Sequence, residues 1–112
     1  MRHLLDNSPA VRTLLRVEHR IDGGIEQFKT AAILVDGSRL HVNGVRVNGV
    51  LHKYAYYWLT PTDVLIVGWD NAPHHLHVAS HPAHQHDATG ISASSIQSLA
   101  DALAEIERRL NV

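Results

Sequence analysis

The residues of this chain that are best suited to chemistry are concentrated in one segment, residues 69–87, with the sequence WDNAPHHLHVASHPAHQHD. Imidazole titrates near neutral pH, binds metal ions and transfers protons, so a high density of histidine indicates a functional site. Pro73 and Pro82 interrupt the segment, because proline fits neither the interior of a helix nor a central strand. Six of the ten histidines lie here: His74, His75, His77, His81, His84 and His86.

The first interpretation of this segment is purely structural: the histidines and prolines build an ordered loop. Asp70 and Asn71 then cap backbone groups of the turn. His77 and His81 fit a structural role best, because His77 alternates with apolar residues as in a short edge strand.

A second interpretation is a metal site. The spacings His75-x-His77 and His84-x-His86 put two imidazoles on one side of a strand, where they can bind zinc or a similar divalent ion. Asp70 is then a third ligand, or it orients one imidazole through a hydrogen bond. The helical zinc motif that carries its own glutamate base is absent from the sequence.

A third interpretation is acid–base chemistry on RNA, without a metal or other cofactor. Cleavage needs a base for the proton of the 2′-hydroxyl, an acid for the leaving oxygen and cations for the charged intermediate. Two histidines in opposite protonation states meet the first two requirements. Arg46 and Lys53 are candidates to neutralise phosphate. Tyr56 is a candidate to stack a single-stranded base, although core packing is the commoner role of such a ring.

Composition restricts the class of protein. A chain of 112 residues with 45% hydrophobic residues is expected to form one domain over residues 1–112. Cysteine is absent, which excludes disulfides and suits a reducing cytoplasm. We find neither a secretory signal nor an apolar run long enough for a membrane span, so we expect a cytoplasmic protein without membrane contact.

Charge gives a weaker indication. The net charge of −1 is not typical of a nucleic-acid-binding protein. Between Gly37 and Trp69, however, Asp63 is the only acid, so a local basic face is a reasonable expectation there. The cations of that stretch are Arg39, Arg46 and Lys53, with His41 and His52 as further candidates.

Alternation of apolar and polar residues predicts β-strands through most of the chain. Residues 11–21 form the first strand, with His19 on its apolar side, where a hydrogen-bonded core histidine is expected. Residues 51–60 form an aromatic strand. Residues 64–70, an almost continuous apolar run, predict a central strand that delivers Asp70 into the histidine segment. The turn dipeptides around residues 45–47 favour either a short hairpin or an irregular strand.

The end of the chain predicts a helix. Ser94 and Gln97 match a capping box, and apolar residues then recur at three- and four-residue spacing up to Leu110. The residues before Pro9 suggest only a short lead-in. The predicted fold class is α+β: a twisted antiparallel sheet of about five or six strands with one C-terminal amphipathic helix packed on a face.

Several of these motifs resemble the TumE family of bacterial toxin–antitoxin proteins. Members combine a Y-x-Y-x-W strand, a D-N-A-P-H-H block, a P-H-H-K-H-like block and a C-terminal helix. The resemblance covers residues 54–110. The second block departs from the family pattern, since Ala83 replaces a histidine and Gln85 replaces the usual lysine, and Tyr57 stands where histidine is common. The matching site residues are Asp70, Asn71, His74, His75, His84 and His86.

The resemblance implies a growth-inhibiting toxin that is neutralised by a separate antitoxin, usually a helix-turn-helix protein. Endoribonuclease action is an analogy with toxins of similar size. Our working hypothesis makes His75 and His86 the acid–base pair. Asp70 orients one imidazole, and Lys53 or Arg46 neutralises the phosphate.

Two alternatives stay open. One is a metal-dependent hydrolase, and the other is a non-catalytic binding module that occupies a cellular target. The sequence also leaves open whether the chain forms a homo-oligomer.

Overall fold

A single antiparallel sheet organises the chain. The structure, a computed structural model, describes residues 1–112. Seven strands follow one another in the sheet in the same order as in the sequence, so β1 and β7 form its two edges. The strands are β1 (Val11–Asp22), β2 (Ile25–Leu34), β3 (Arg39–Val47), β4 (Val50–Leu59), β5 (Leu65–Asp70), β6 (His84–Asp87) and β7 (Gly90–Ala93).

Two helices accompany the sheet, α1 (Arg2–Asp6) and α2 (Leu99–Leu110). The buried side of α2, Leu99, Ala102, Leu103 and Ile106, belongs to the same hydrophobic cluster as the sheet residues of one face. We call that face the helix face and the opposite one the open face. Sheet residues in the cluster are Phe28, Ala32, Leu34, Leu40, Val42, Tyr54, Tyr56, Trp58, Val67 and Trp69.

The predicted fold class is confirmed, but the predicted number of strands is wrong. The sheet has seven strands rather than five or six, because residues 84–93 form the hairpin of β6 and β7. Each of these strands has four residues, too few for a clear alternation of apolar and polar side chains. The stretch around residues 45–47 is the end of β3, with a register shift between Val45 and Arg46.

Asn43-Gly44 is therefore not a turn. Gly44 lies within β3 and faces Phe28 of β2. A Cβ atom at Gly44 would come within 2.1 Å of the Phe28 ring, so glycine is required there by the close approach of an aromatic side chain.

Three further predictions are corrected. His19 is not a core residue: its side chain is 47% exposed and pairs with Glu26 at 2.6 Å. It lies in the part of β1 whose residues are exposed to solvent. The lead-in before Pro9 contains the helix α1, which buries Leu5.

The start of α2 also differs from the prediction. Ser98, not Ser94, caps the helix, since its Oγ accepts the N–H of Asp101 at 3.1 Å. The Ser94 hydroxyl accepts the N–H of Ile96 instead, in the segment that precedes the helix.

Neither helix has the length and apolar character needed to cross a membrane.

The corrected start of α2 is testable. Replacement of Ser98 by Ala removes the hydrogen bond to the N–H of Asp101, and loss of such a cap costs about 1 kcal/mol. We expect S98A to lower the free energy of unfolding, measured by urea denaturation, by about that amount. S94A is the matched control and should cost less, because it leaves the helix cap intact. A larger loss for S94A than for S98A would move the helix start back to Ser94.

Candidate active site

The strand register brings the site together on the open face. Successive side chains of a strand point to opposite faces, and Trp69 belongs to the helix-face core. Asp70 therefore points to the open face. It is paired with Ala55 of β4 on one side and with His84 of β6 on the other. His86 follows two residues after His84, opposite Gly68, so both histidines share the face of Asp70.

Asp70 is the centre of the site. Its side chain is only 8% exposed, and both carboxylate oxygens have polar partners. Oδ1 accepts the backbone N–H of Ala72 at 3.0 Å and lies 2.7 Å from Nε2 of His84. Oδ2 accepts the hydroxyl of Tyr57 and lies 3.3 Å from Nε2 of His86. A buried carboxylate is tolerated only when its charge is compensated in this way.

Tyr57 is a site residue that our sequence analysis missed. Its hydroxyl donates to Asp70, and its ring centroid lies 6.3 Å from that of His86. Burial, followed by the hydrogen bond to Asp70, raises the pKa of Tyr57, so the phenol remains a donor at neutral pH. The signal that could have identified it was strand periodicity, because Tyr57 alternates with core residues and must point to the open face.

Gly68 makes room for that ring. It is the direct partner of Tyr57 between β4 and β5. A Cβ atom at Gly68 would lie 2.3 Å from two carbon atoms of the Tyr57 ring. Glycine is therefore needed here so that the tyrosine can cross β5 and reach Asp70.

His84 is buried and held at both ring nitrogens. Nδ1 lies 2.8 Å from the carbonyl oxygen of Pro82, which only accepts, so Nδ1 carries a proton. Nε2 lies 2.7 Å from the Asp70 carboxylate. A proton between these two atoms makes the contact a hydrogen bond, so His84 is fixed at both nitrogens and holds the Asp70 carboxyl group in place.

His75 and His86 are the two more accessible rings of the cluster. The His86 side chain is 26% exposed, and His75 is half-buried. The ring centroid of His75 lies 4.8 Å from that of His84 and 5.7 Å from that of His86. Desolvation, and then repulsion by the neighbouring histidines, lowers the pKa of His75. Its neutral form is therefore favoured at neutral pH.

The loop that carries His75 is anchored to the sheet by Asn71. The Asn71 side chain accepts the N–H of Tyr54 at 3.1 Å and donates to the carbonyl of His52 at 2.9 Å. It replaces the strand partner that β4 lacks beyond Ala55, where the pairing with β5 ends. This contact gives Asn71 a structural role and fixes where the loop leaves β5.

The two predicted phosphate-binding cations, Lys53 and Arg46, lie on opposite faces of the sheet. Lys53 is exposed on the open face, since it alternates with buried Tyr54. Arg46 lies on the helix face, where it pairs with Glu26 at 3.2 Å and its guanidinium sits 5.0 Å from the Phe28 ring centroid. Arg46 therefore points away from the histidines, and its predicted role at the phosphate is withdrawn.

Tyr56 also lies on the helix face. It is 1% exposed and donates its hydroxyl to the carbonyl of Gln97. It cannot stack a base, so its predicted role in substrate binding is withdrawn and its role is core packing. His74 is exposed in the loop beside His75. It makes none of the contacts to Asp70 described above.

The cluster also has the composition of a metal site. Each of His75, His84 and His86 offers a ring nitrogen, and these three atoms lie within 4.8 Å of one another. The hydrogen bond from Nδ1 of His84 to a backbone carbonyl is the contact that orients many metal-ligating histidines. The predicted pair His84-x-His86 belongs to this group, whereas the predicted pair His75-x-His77 contributes only His75.

Comparison with known protein families agrees with the motifs in the sequence. The family model described as toxin TumE matches residues 1–110, almost the whole chain. The chain belongs to the TumE toxin family. No curated protein and no solved structure matches it. TumE membership confirms the predicted role as the toxin of a toxin–antitoxin system and implies an antitoxin partner.

The fit between Tyr57 and Gly68 gives a prediction for this TumE protein. G68A places a methyl group against the Tyr57 ring, and overpacking of this kind costs about 1–3 kcal/mol. We expect urea denaturation to show a loss of that size. The same change should cost much less in a Y57A background, where the ring is absent. Equal costs in the two backgrounds would mean that the ring is not what requires glycine at this position.

Proposed function

We propose that this TumE toxin inhibits growth by cleaving RNA at the histidine cluster, through acid–base catalysis by His75 and His86. The observation that carries the proposal is the unequal setting of the two rings. His86 shares the Asp70 carboxylate with His84, whereas His75 stands in the loop with a lowered pKa. A pair of this kind supplies a base and an acid at one site.

His75 is the proposed base. In its neutral form it takes the proton of a 2′-hydroxyl, whose oxygen attacks the adjacent phosphorus. The bond between phosphorus and the 5′-oxygen then breaks, and His86 as the acid gives that oxygen its proton. The products are a 2′,3′-cyclic phosphate and a free 5′-hydroxyl.

Asp70, His84 and Tyr57 are positioning residues in this scheme. Asp70 contacts Nε2 of His86, while His84 and Tyr57 hold the carboxylate in place. Lys53, exposed on the same face, is the proposed partner of the phosphate charge. Asn71 supports the site through its contacts to β4.

The first test removes the two rings. We expect H75A and H86A each to lower the rate of RNA cleavage by about a hundredfold or more, the usual contribution of a general acid or base. Both variants should also relieve growth inhibition. The measurement is cleavage of RNA by purified protein, together with sequencing of RNA ends from induced cells. Circular dichroism should show an unchanged fold.

H3A is the matched control, because His3 is exposed on α1, outside the cluster. It should keep full activity. Full toxicity of both H75A and H86A would eliminate the catalytic proposal. Growth inhibition without any cleaved RNA would favour the alternative of a binding module that occupies its target.

A second candidate, a metal-dependent hydrolase, is favoured by one specific observation. The ring nitrogens of His75, His84 and His86 lie within 4.8 Å of one another. In this case the ion would activate water or polarise the phosphate. His75 and His86 would then be ligands rather than proton carriers.

Metal analysis separates the two candidates. Acid–base catalysis predicts purified, active protein with far less than one transition-metal ion per chain. It also predicts RNA cleavage that survives treatment with a strong chelator. Stoichiometric metal, with activity lost on chelation and restored by zinc or another divalent ion, would establish the metal-dependent reaction instead.

A further inference from the structure

We infer that a basic groove on the open face binds the sugar–phosphate backbone of single-stranded RNA and leads the strand to the histidine cluster. The inference rests on the proposed function and adds a binding surface to it. Besides Lys53, already proposed to contact phosphate, it involves Arg20 and Lys29, which had no assigned role. Arg20, Lys29 and Lys53 are its cations.

The groove is a shallow depression of about 830 Å³ across β1 to β4. Two rows of paired residues cross it. One row contains Arg20, Gln27, Val45 and Lys53, and the other contains Glu18, Lys29, Asn43 and Ala55. All these residues line the depression. Neighbouring strands are about 4.8 Å apart, so Arg20 and Lys53 stand about 14 Å apart at opposite ends of their row.

The cations of the groove are free to bind a ligand. Arg20, Lys29 and Lys53 are exposed, and none of them forms a salt bridge. The only acid among these groove residues is Glu18, which lies 3.7 Å from Arg16. An exposed surface with three unpaired cations and one compensated acid is complementary to a polyanion.

The groove is continuous with the histidine cluster. The row of Lys29, Asn43 and Ala55 continues directly to Asp70 and His84. At the same end of the groove, the Asn71 side chain binds backbone atoms of His52 and Tyr54, the residues on either side of Lys53. Lys53 therefore stands where the groove meets the loop that carries His75.

The side chains of the groove favour recognition of phosphates over recognition of bases. Phe28 and Tyr54 also border it, but their side chains belong to the helix-face core. No aromatic ring of the groove is available as a stacking platform of the kind that reads bases. We therefore expect weak sequence preference and a strong dependence on salt concentration.

The test is equilibrium binding of a fluorescent, single-stranded 2′-O-methyl oligoribonucleotide of mixed sequence, at several salt concentrations. This probe lacks the attacking hydroxyl, so wild-type protein cannot cleave it by the proposed reaction. We expect the charge reversal K29E/K53E to weaken binding at least about tenfold. Loss of two phosphate contacts should also lower the slope of log K against log[salt] by about 1.4, at roughly 0.7 for each contact.

R2E/R108E is the matched control. It changes the net charge by the same amount on the two helices, at side chains that are 66% and 71% exposed. The control should bind like wild type. Equal weakening by both double variants, no weakening by K29E/K53E, or no binding of the oligoribonucleotide by wild type would each overturn the inference. It would also be overturned if K29E/K53E abolished only neutralisation by the antitoxin, which would make the groove a protein interface.

The experiments distinguish an error in the RNA-binding inference from an error in the catalytic proposal. RNA that is cut by wild type and by K29E/K53E at the same rate leaves the proposed roles of His75 and His86 standing. It removes both the groove and the proposed role of Lys53 at the phosphate. Groove-dependent binding without any cleavage supports the groove and removes the catalytic proposal.

Discussion

The structure of the site depends on the buried carboxylate of Asp70. A negative charge that is 8% exposed would be strongly unfavourable without partners. Its partners come from different parts of the chain: Tyr57 from β4, His84 and His86 from β6, and the backbone of Ala72 from the loop. The carboxylate therefore ties three segments together.

This arrangement limits what each histidine can do. His84 is buried and has both ring nitrogens engaged, one with the carbonyl of Pro82 and the other with Asp70. His86 shares the carboxylate but retains 26% exposure. His75 lies beside other histidine rings rather than an acid. Desolvation, and then repulsion by those rings, lowers its pKa. The three neighbouring imidazoles therefore differ in burial and in their relation to Asp70.

Much of the fold and part of the site could be predicted from residue periodicity. The alternation in β4 correctly gave an aromatic strand, and the apolar run of β5 correctly delivered Asp70 to the histidines. Periodicity alone could not say which side of each strand would be covered by α2. Tyr56 was chosen as a substrate contact and Tyr57 was overlooked, although neighbouring residues on a strand necessarily face opposite sides. Arg46 and Lys53 differ in the same way, since Arg46 projects from the helix face and Lys53 from the open face. The hairpin of β6 and β7 was missed because its residues are too few and too polar to show an apolar pattern.

The net charge of the chain also gave no indication of the basic surface on the open face. A total of −1 is the sum over both faces, whereas a ligand meets only one of them. Five of the ten lysines and arginines, Arg16, Arg20, Lys29, Arg39 and Lys53, alternate with helix-face residues and so project from the open face. Among the acids, Glu26 pairs with Arg46 on the helix face and Glu105 pairs with Arg108 and Arg109 on α2. Glu18 and Asp70 also lie on the open face, but the five cations outnumber them, so a nearly neutral protein can present a basic surface on one side of its sheet.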